Sequence, residues 1–189
     1  GVHHPVIPMS DDAVRTIVHT DDGALEFQEY FVKLQCRPRV HKIEYRASMG
    51  ARPSAALGRV LRSKALSGIV ICPSNPYLSV APILALDGMR EAIVSARNVV
   101  AVSPIIGGRA VKGPAAKIMQ ELGSESSATE VARFYQGLAH TFVIDRVDSA
   151  LAGDIRALGM DPKVEDTLMR SEEDRVRLAR KCLSMLAQR

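Results

Sequence analysis

Over the first 46 residues, apolar and polar positions alternate in short windows, Val14-Arg15-Thr16-Ile17-Val18 and Phe31-Val32-Lys33-Leu34, bounded by acidic turns. A period of two is the spacing of a half-buried strand, so both windows are expected to be strands. Asp21-Asp22-Gly23 between such runs fits a hairpin connection, because Asp and Gly tolerate the positive φ angles that tight hairpin turns need.

From about residue 54 the period changes to that of helices alternating with short apolar strands. Leu57, Val60, Leu61 and Ala65 have helical spacing and are followed by Ile69-Val70-Ile71-Cys72. Asp87 is the expected N-cap of a helix through Met89, Ile93 and Ala96, which leads to the strand Val99-Val100-Ala101-Val102. Pro114 suits the first turn of a helix through Ile118, Met119 and Leu122 that Gly123 ends. Ser127-Ala128-Thr129-Glu130 has the spelling of a capping box and opens the next helix. Thr141-Phe142-Val143-Ile144 follows as a strand, then a helix around Ile155 to Leu158 closed by Gly159, and a short strand near Lys163-Val164-Glu165. In the last helix Ser171 is the expected cap, Glu172 and Glu173 favour the positive end of the dipole, and Val176, Ala179, Cys182, Leu183 and Leu186 make one stripe. Continuous apolar strands separated by helices imply an α/β fold, with a doubly wound, mostly parallel sheet buried on both faces.

Composition narrows the function classes. At 189 residues the chain has room for one substantial core with a small appendage. A net charge of +4 spread among acidic residues, with aromatics at 4% and no Trp, lacks the basic, aromatic-interleaved stripe of a nucleic-acid binder and suits an anionic small molecule instead. Cys36, Cys72 and Cys182 are odd in number and far apart, which excludes a disulfide framework or a CxxC metal site and suits a reducing cytoplasm. No run of about 18 apolar residues is present and the N-terminus lacks a charged segment followed by an apolar one, so neither a membrane span nor secretion is expected, and no membrane partner. Gly1 is not an initiator Met, and processing or truncation is the expected cause.

In open α/β sheets ligands bind beyond the carboxyl ends of the strands, so the residues after each strand are the candidates. Pro73-Ser74-Asn75-Pro76 joins a hydroxyl and an amide to two prolines that fix the backbone; this is either a rigid cradle for a phosphate or a turn before a helix. Gly107, Gly108 and Gly113 allow close backbone approach, Lys112 supplies a positive charge, and the following helix offers free N–H groups, a pattern for anion binding or for a plain loop. The order is not that of a P-loop, because no Ser or Thr follows the lysine. Asp145 and Asp148 can either hold Mg²⁺ or cap the next helix. His3-His4 is a weak metal pair at an exposed terminus; His19, His41 and His140 stand apart from one another.

The ordered set Cys72-Pro73-Ser74-Asn75-Pro76, Pro82-Ile83-Leu84, Gly88-Met89-Arg90, Val102-Ser103-Pro104-Ile105-Ile106-Gly107-Gly108 and Val111-Lys112-Gly113-Pro114 resembles the 2-phospho-L-lactate transferase family of deazaflavin coenzyme biosynthesis. The likeness extends to Phe27-Gln28-Glu29-Tyr30-Phe31-Val32 upstream and to Val143-Ile144-Asp145, Leu158-Gly159 and Thr167-Leu168-Met169 downstream, so it covers nearly the whole chain. It implies a strand-rich lid over residues 1–46 and a Rossmann-like core over residues 47–189. It also implies Mg²⁺-dependent transfer of a phospholactyl or phosphoenolpyruvyl group from a guanosine diphosphate (GDP)-linked donor to a deazaflavin acceptor, with release of GMP. By position, Ser74, Asn75 and Pro76 would line the cleft, and Ser103, Gly107, Gly108, Lys112 and Gly113 would surround the phosphates, with Lys112 neutralising charge on the leaving group. Members of the family begin with a strand, a glycine-rich nucleotide loop and an acidic segment, none of which is in this sequence; this is expected to be the C-terminal two-thirds of a longer product. A noncatalytic nucleotide-binding regulator of the same fold is the alternative, and a homodimer is the default expectation for assembly.

Overall fold

The computed structural model describes residues 3–47 and 50–187. Near the N-terminus, β1 (Val14–Thr20) pairs antiparallel with β2 (Gly23–Glu26) and with β3 (Val40–Ala47), in the order β2-β1-β3. Thr20 faces Gly23 across a two-residue Asp21-Asp22 loop, and Gly23 has φ +100°, so the expected hairpin forms. The window Phe31 to Leu34 is not a strand: Glu29–Lys33 is a π-helical turn. Tyr30 is its buried residue, whereas Phe31 and Val32 are exposed, so its apolar residues do not share one face as they would in a half-buried strand.

The core sheet is parallel throughout, in the order β4 (Ile69–Ile71), β5 (Val99–Val102), β8 (Thr141–Asp145) and β9 (Asp161–Glu165); the short strands β6 (Ile105–Ile106) and β7 (Arg109–Ala110) pair with each other outside it. Helices cover both faces, as in Rossmann-like folds. Val99, Ala101, Phe142 and Ile144 point to one side, in a cluster with α2 (Ala81–Leu84), α3 (Met89–Val94), α4 (Ala115–Glu121), α5 (Ala128–Phe134) and α6 (Ala152–Ala157). Val100, Val102 and Val143 point to the other side and meet Leu178, Cys182 and Met185 of α7 (Glu172–Leu186). The four-residue apolar runs seen in the sequence are thus the strands buried on both faces, each large side chain contributing about 1.5–3 kcal/mol.

Several helix ends differ from the expected ones. The first core helix, α1 (Ala55–Leu61), is capped by Ser54 and stops before Ala65. The cap of α3 is Gly88 at φ +74°, not Asp87, whose N–H instead donates to Ala51 O; α3 ends before Ala96. At α5 only half of the capping box forms: Ser127 Oγ accepts from Glu130 N–H, while the Glu130 carboxylate pairs with Arg133. The complete box lies at α7, between Ser171 and Asp174. The apolar stripe of α7 is partly rotated from the expected one: Cys182 and Leu186 pack against the sheet as expected, but Val176 and Leu183 are 43% and 60% exposed, and Leu178 and Met185 are buried in their place. Ser171→Ala is expected to remove about 1 kcal/mol, read as a melting temperature lower by roughly 2–4 °C.

The N-terminal sheet is seated on the core. Val18, Tyr30 and Val40 form a cluster with Leu78 and with Ile118 of α4. Lys117 Nζ donates to Pro38 O at 2.9 Å and to Glu121 at 2.7 Å, and Glu121 accepts from Val40 N–H at 3.0 Å. These contacts join the start of β3 to the helix that follows the glycine-rich segment.

Candidate functional site

At the carboxyl ends of the core strands a cavity of about 160 Å³ is lined by residues that include Asn75, Ser103, Lys112, Thr167 and Arg175. Of the candidates from the sequence it therefore brings together Asn75, Ser103 and Lys112. Ser74 faces a separate apolar groove beside β4, Pro76 is buried at the start of a π-helical turn, and Gly107, Gly108 and Gly113 lie outside the cavity lining.

The loops after β4 and β5 are fixed by local hydrogen bonds. Asn75 Oδ1 accepts from Tyr77 N–H at 2.9 Å and Leu78 N–H at 3.1 Å, capping the π-helical turn Pro76–Val80. The turn reading of Pro73-Ser74-Asn75-Pro76 is the one that forms, with Asn75 as its cap, and the same residue lines the cavity. Its Nδ2 is buried and has no acceptor. Ser103 Oγ donates to Ile105 O at 2.9 Å and accepts from Ile105 N–H at 3.1 Å, so this buried hydroxyl holds the turn after β5.

After that turn the chain makes a small hairpin of β6 (Ile105–Ile106) and β7 (Arg109–Ala110), with Gly107 and Gly108 at φ +55° and +75°. Glycine adopts two successive left-handed residues at low cost. Gly107 N–H donates to both carboxylate oxygens of Asp148, at 3.1 and 3.0 Å. Burial raises the Asp148 pKa, the Gly107 N–H opposes that rise, and the charge of Asp145 adds to it.

Asp145 caps the 3₁₀ turn Arg146–Leu151: its Oδ1 accepts from Val147 N–H, and its Oδ2 accepts from Thr167 N–H at 2.9 Å and Thr167 Oγ1 at 3.0 Å. Burial raises its pKa, but the hydrogen bonds from Thr167, Val147 and Leu168 outweigh burial and hold the carboxyl below its ordinary value. These bonds tie the end of β8 to the segment after β9. Capping is therefore present, and both carboxylates are engaged with protein donors. Among the described residues no group of three His, Cys, Asp or Glu is placed to hold a metal. His3 and His4 are exposed, His19 pairs with Glu44, His41 pairs with Asp21, and His140 Nδ1 accepts from Val99 N–H.

The remaining polar groups of the cavity share one property. Among the described residues the Lys112 ammonium and the Arg175 guanidinium have no hydrogen-bonding or ion-pair partner, and Asn75 Nδ2 is likewise unpaired. All three are donors, and two are cations, so the arrangement favours an oxyanion. Arg175 was not legible as a cavity residue, because in sequence it is one charge among many in an amphipathic helix; the path of the chain after β9 brings it to the cavity.

A larger groove of about 650 Å³ lies at the opposite end, where Lys64 and Arg97 precede β4 and β5. Its position at the amino ends of the strands is the one that open α/β sheets do not use for ligands. Among the described residues no helix is long and apolar enough to cross a membrane, and the three cysteines are free.

The family model described as 2-phospho-L-lactate transferase CofD matches residues 1–182. The chain is 38% identical over 179 residues to the 2-phospho-L-lactate transferase of Methanosarcina mazei, covering 95% of this chain and 58% of the relative. It is 37% identical over 187 residues to that of Methanococcoides burtonii, covering 99% and 60%, and 37% identical over 190 residues to that of Methanopyrus kandleri, covering 98% and 59%. The chain thus spans about three-fifths of the length of these curated relatives. On the match across residues 1–182 and these identities, the chain belongs to the 2-phospho-L-lactate transferase family.

Proposed function

We propose that the protein is a transferase that moves a 2-phospholactyl or phosphoenolpyruvyl group from a GDP-linked donor to a 7,8-didemethyl-8-hydroxy-5-deazariboflavin acceptor, with release of GMP. The observation that carries this reading, in a chain of this family, is the donor-only set of unpaired groups at the strand carboxyl ends: Lys112, Asn75 and Arg175. At about 160 Å³ the cavity is smaller than the ~300–1,000 Å³ that usually encloses a whole ligand. It suits a phosphate group, with the nucleoside and the acceptor lying outside it.

In this reading a hydroxyl of the acceptor side chain attacks the phosphorus that bears the three-carbon acid. The new P–O bond forms as the anhydride bond to GMP breaks, and the hydroxyl proton leaves to solvent. Such a transfer needs in-line positioning and charge stabilisation more than a protein nucleophile. Lys112 supplies positive charge to the leaving phosphate, Asn75 Nδ2 supplies a neutral donor, and the Asp148–Gly107 contact holds the hairpin that leads into Lys112. Magnesium would act as the counter-charge of the diphosphate. Asp145 and Asp148 are already engaged by Val147, Thr167 and Gly107, so that ion would be held by the diphosphate oxygens.

The test is turnover by the full gene product with Mg²⁺, the deazaflavin and each GDP-linked donor, followed by chromatography of GMP and of the phosphodiester product. Formation of both in equal amounts supports the reading. Tight nucleotide binding without product from either donor overturns it in favour of a regulatory binder.

A further inference from the structure

We propose that Arg175 binds an oxyanion of the donor and forms, with Lys112, a two-cation clamp across the cavity. The proposal rests on the transferase reading above and adds a residue to it. Three observations carry it. Arg175 and Lys112 line the same small cavity from distant parts of the chain, Lys112 after β7 and Arg175 on α7. Arg175 is left without a partner among the described residues although carboxylates surround it in sequence: Asp174 serves the Ser171 capping box and Arg177, and Asp166 also pairs with Arg177. Arg175 is exposed and is the fourth residue of α7, where a cation sits near the positive end of the helix dipole at a small cost that Glu172, Glu173 and Asp174 partly offset. A bound anion would offset that cost and would accept from both cations and from Asn75 Nδ2.

A guanidinium presents a planar fork of donors that matches phosphate or carboxylate in a bidentate manner, which an ammonium does not. The shared chemistry is therefore an oxyanion, either the diphosphate or the carboxylate of the three-carbon acid.

The experiment is calorimetric titration of the full gene product, as wild type, Arg175→Met, Arg175→Lys and Lys112→Ala, with GDP and with 2-phospho-L-lactate as separate probes. Steady-state kinetics on the same proteins accompany it. Arg175→Met is expected to weaken binding by roughly 10- to 100-fold, the loss of a charged hydrogen-bonded contact, and to raise the donor KM more than it lowers kcat. Arg175→Lys is expected to restore only part of the affinity. Weakening toward both probes assigns the guanidinium to phosphate, and weakening toward 2-phospho-L-lactate alone assigns it to the carboxylate. If Lys112→Ala weakens binding while both Arg175 variants bind like wild type, the Arg175 proposal is overturned and the transferase reading stands. If wild type binds neither probe, both fall.

Discussion

Lys112→Ala in the full gene product is expected to lower turnover by roughly 10- to 1,000-fold, the usual effect of removing one preorganised charge-stabilising group. Lys112 is exposed and unpaired among the described residues, so its removal breaks no internal contact and the melting temperature should stay near that of wild type. That separation gives the experiment its value. Lost turnover with unchanged melting assigns the ammonium to the reaction, and unchanged turnover removes Lys112 from the site. Lys112→Arg should recover part of the rate, because the charge returns with a different geometry.

Asp145→Ala is expected to be the most damaging substitution to stability, at about 2–4 kcal/mol. It strands the buried Thr167 N–H and hydroxyl, removes the cap of Arg146–Leu151, and unties β8 from the segment that carries the cavity wall toward α7. For a chain of this size that is a drop of roughly 5–15 °C in melting temperature. The same carboxylate has a pH signature. Its folded-state pKa lies below the ordinary 3.8, so the unfolded chain binds the proton more readily. The stability it contributes is fully present well above the ordinary value and is lost as pH falls through the lower folded value. Asp148 has the opposite sign: with its pKa raised in the fold, it favours folding at low pH and loses that contribution as pH rises through the raised value. Chemical denaturation of Asp145→Asn between pH 3 and 7 should show a flatter acid limb than wild type; an unchanged limb would remove Asp145 as its source.

The parallel core was legible because Val99 to Val102 and Thr141 to Ile144 are short apolar runs without alternation, a pattern that burial on both faces produces. The N-terminal sheet was harder to read. β3 carries His41, Lys42, Glu44 and Arg46, and its place is set by pairing with β1 across the chain, a long-range contact that no local window contains. The four-residue window Phe31 to Leu34 is too short to separate a strand from a helical turn, and Tyr30 decided the outcome by being the residue that reaches the core. In α7 two apolar stripes compete, and the sheet selects the one through Leu178, Cys182 and Met185.

The site was partly legible for a related reason. Sequence position after a strand pointed to Asn75, Ser103 and Lys112, and these share the cavity. Whether a polar atom remains free is not written locally. Ser103 spends its hydroxyl on Ile105, Asp148 spends its carboxylate on Gly107 forty-one residues away, and Asn75 spends its oxygen but not its nitrogen. Arg175 enters only because α7 starts beside the cavity, which depends on the path of the chain after β9.

The most direct test of the proposed phosphate site is an NMR titration of the isotope-labelled full gene product with GDP. The largest shift changes should fall at Asn75, Lys112 and Arg175, at the carboxyl ends of the strands. Changes concentrated instead around Lys64 and Arg97, at the amino ends, would contradict the account.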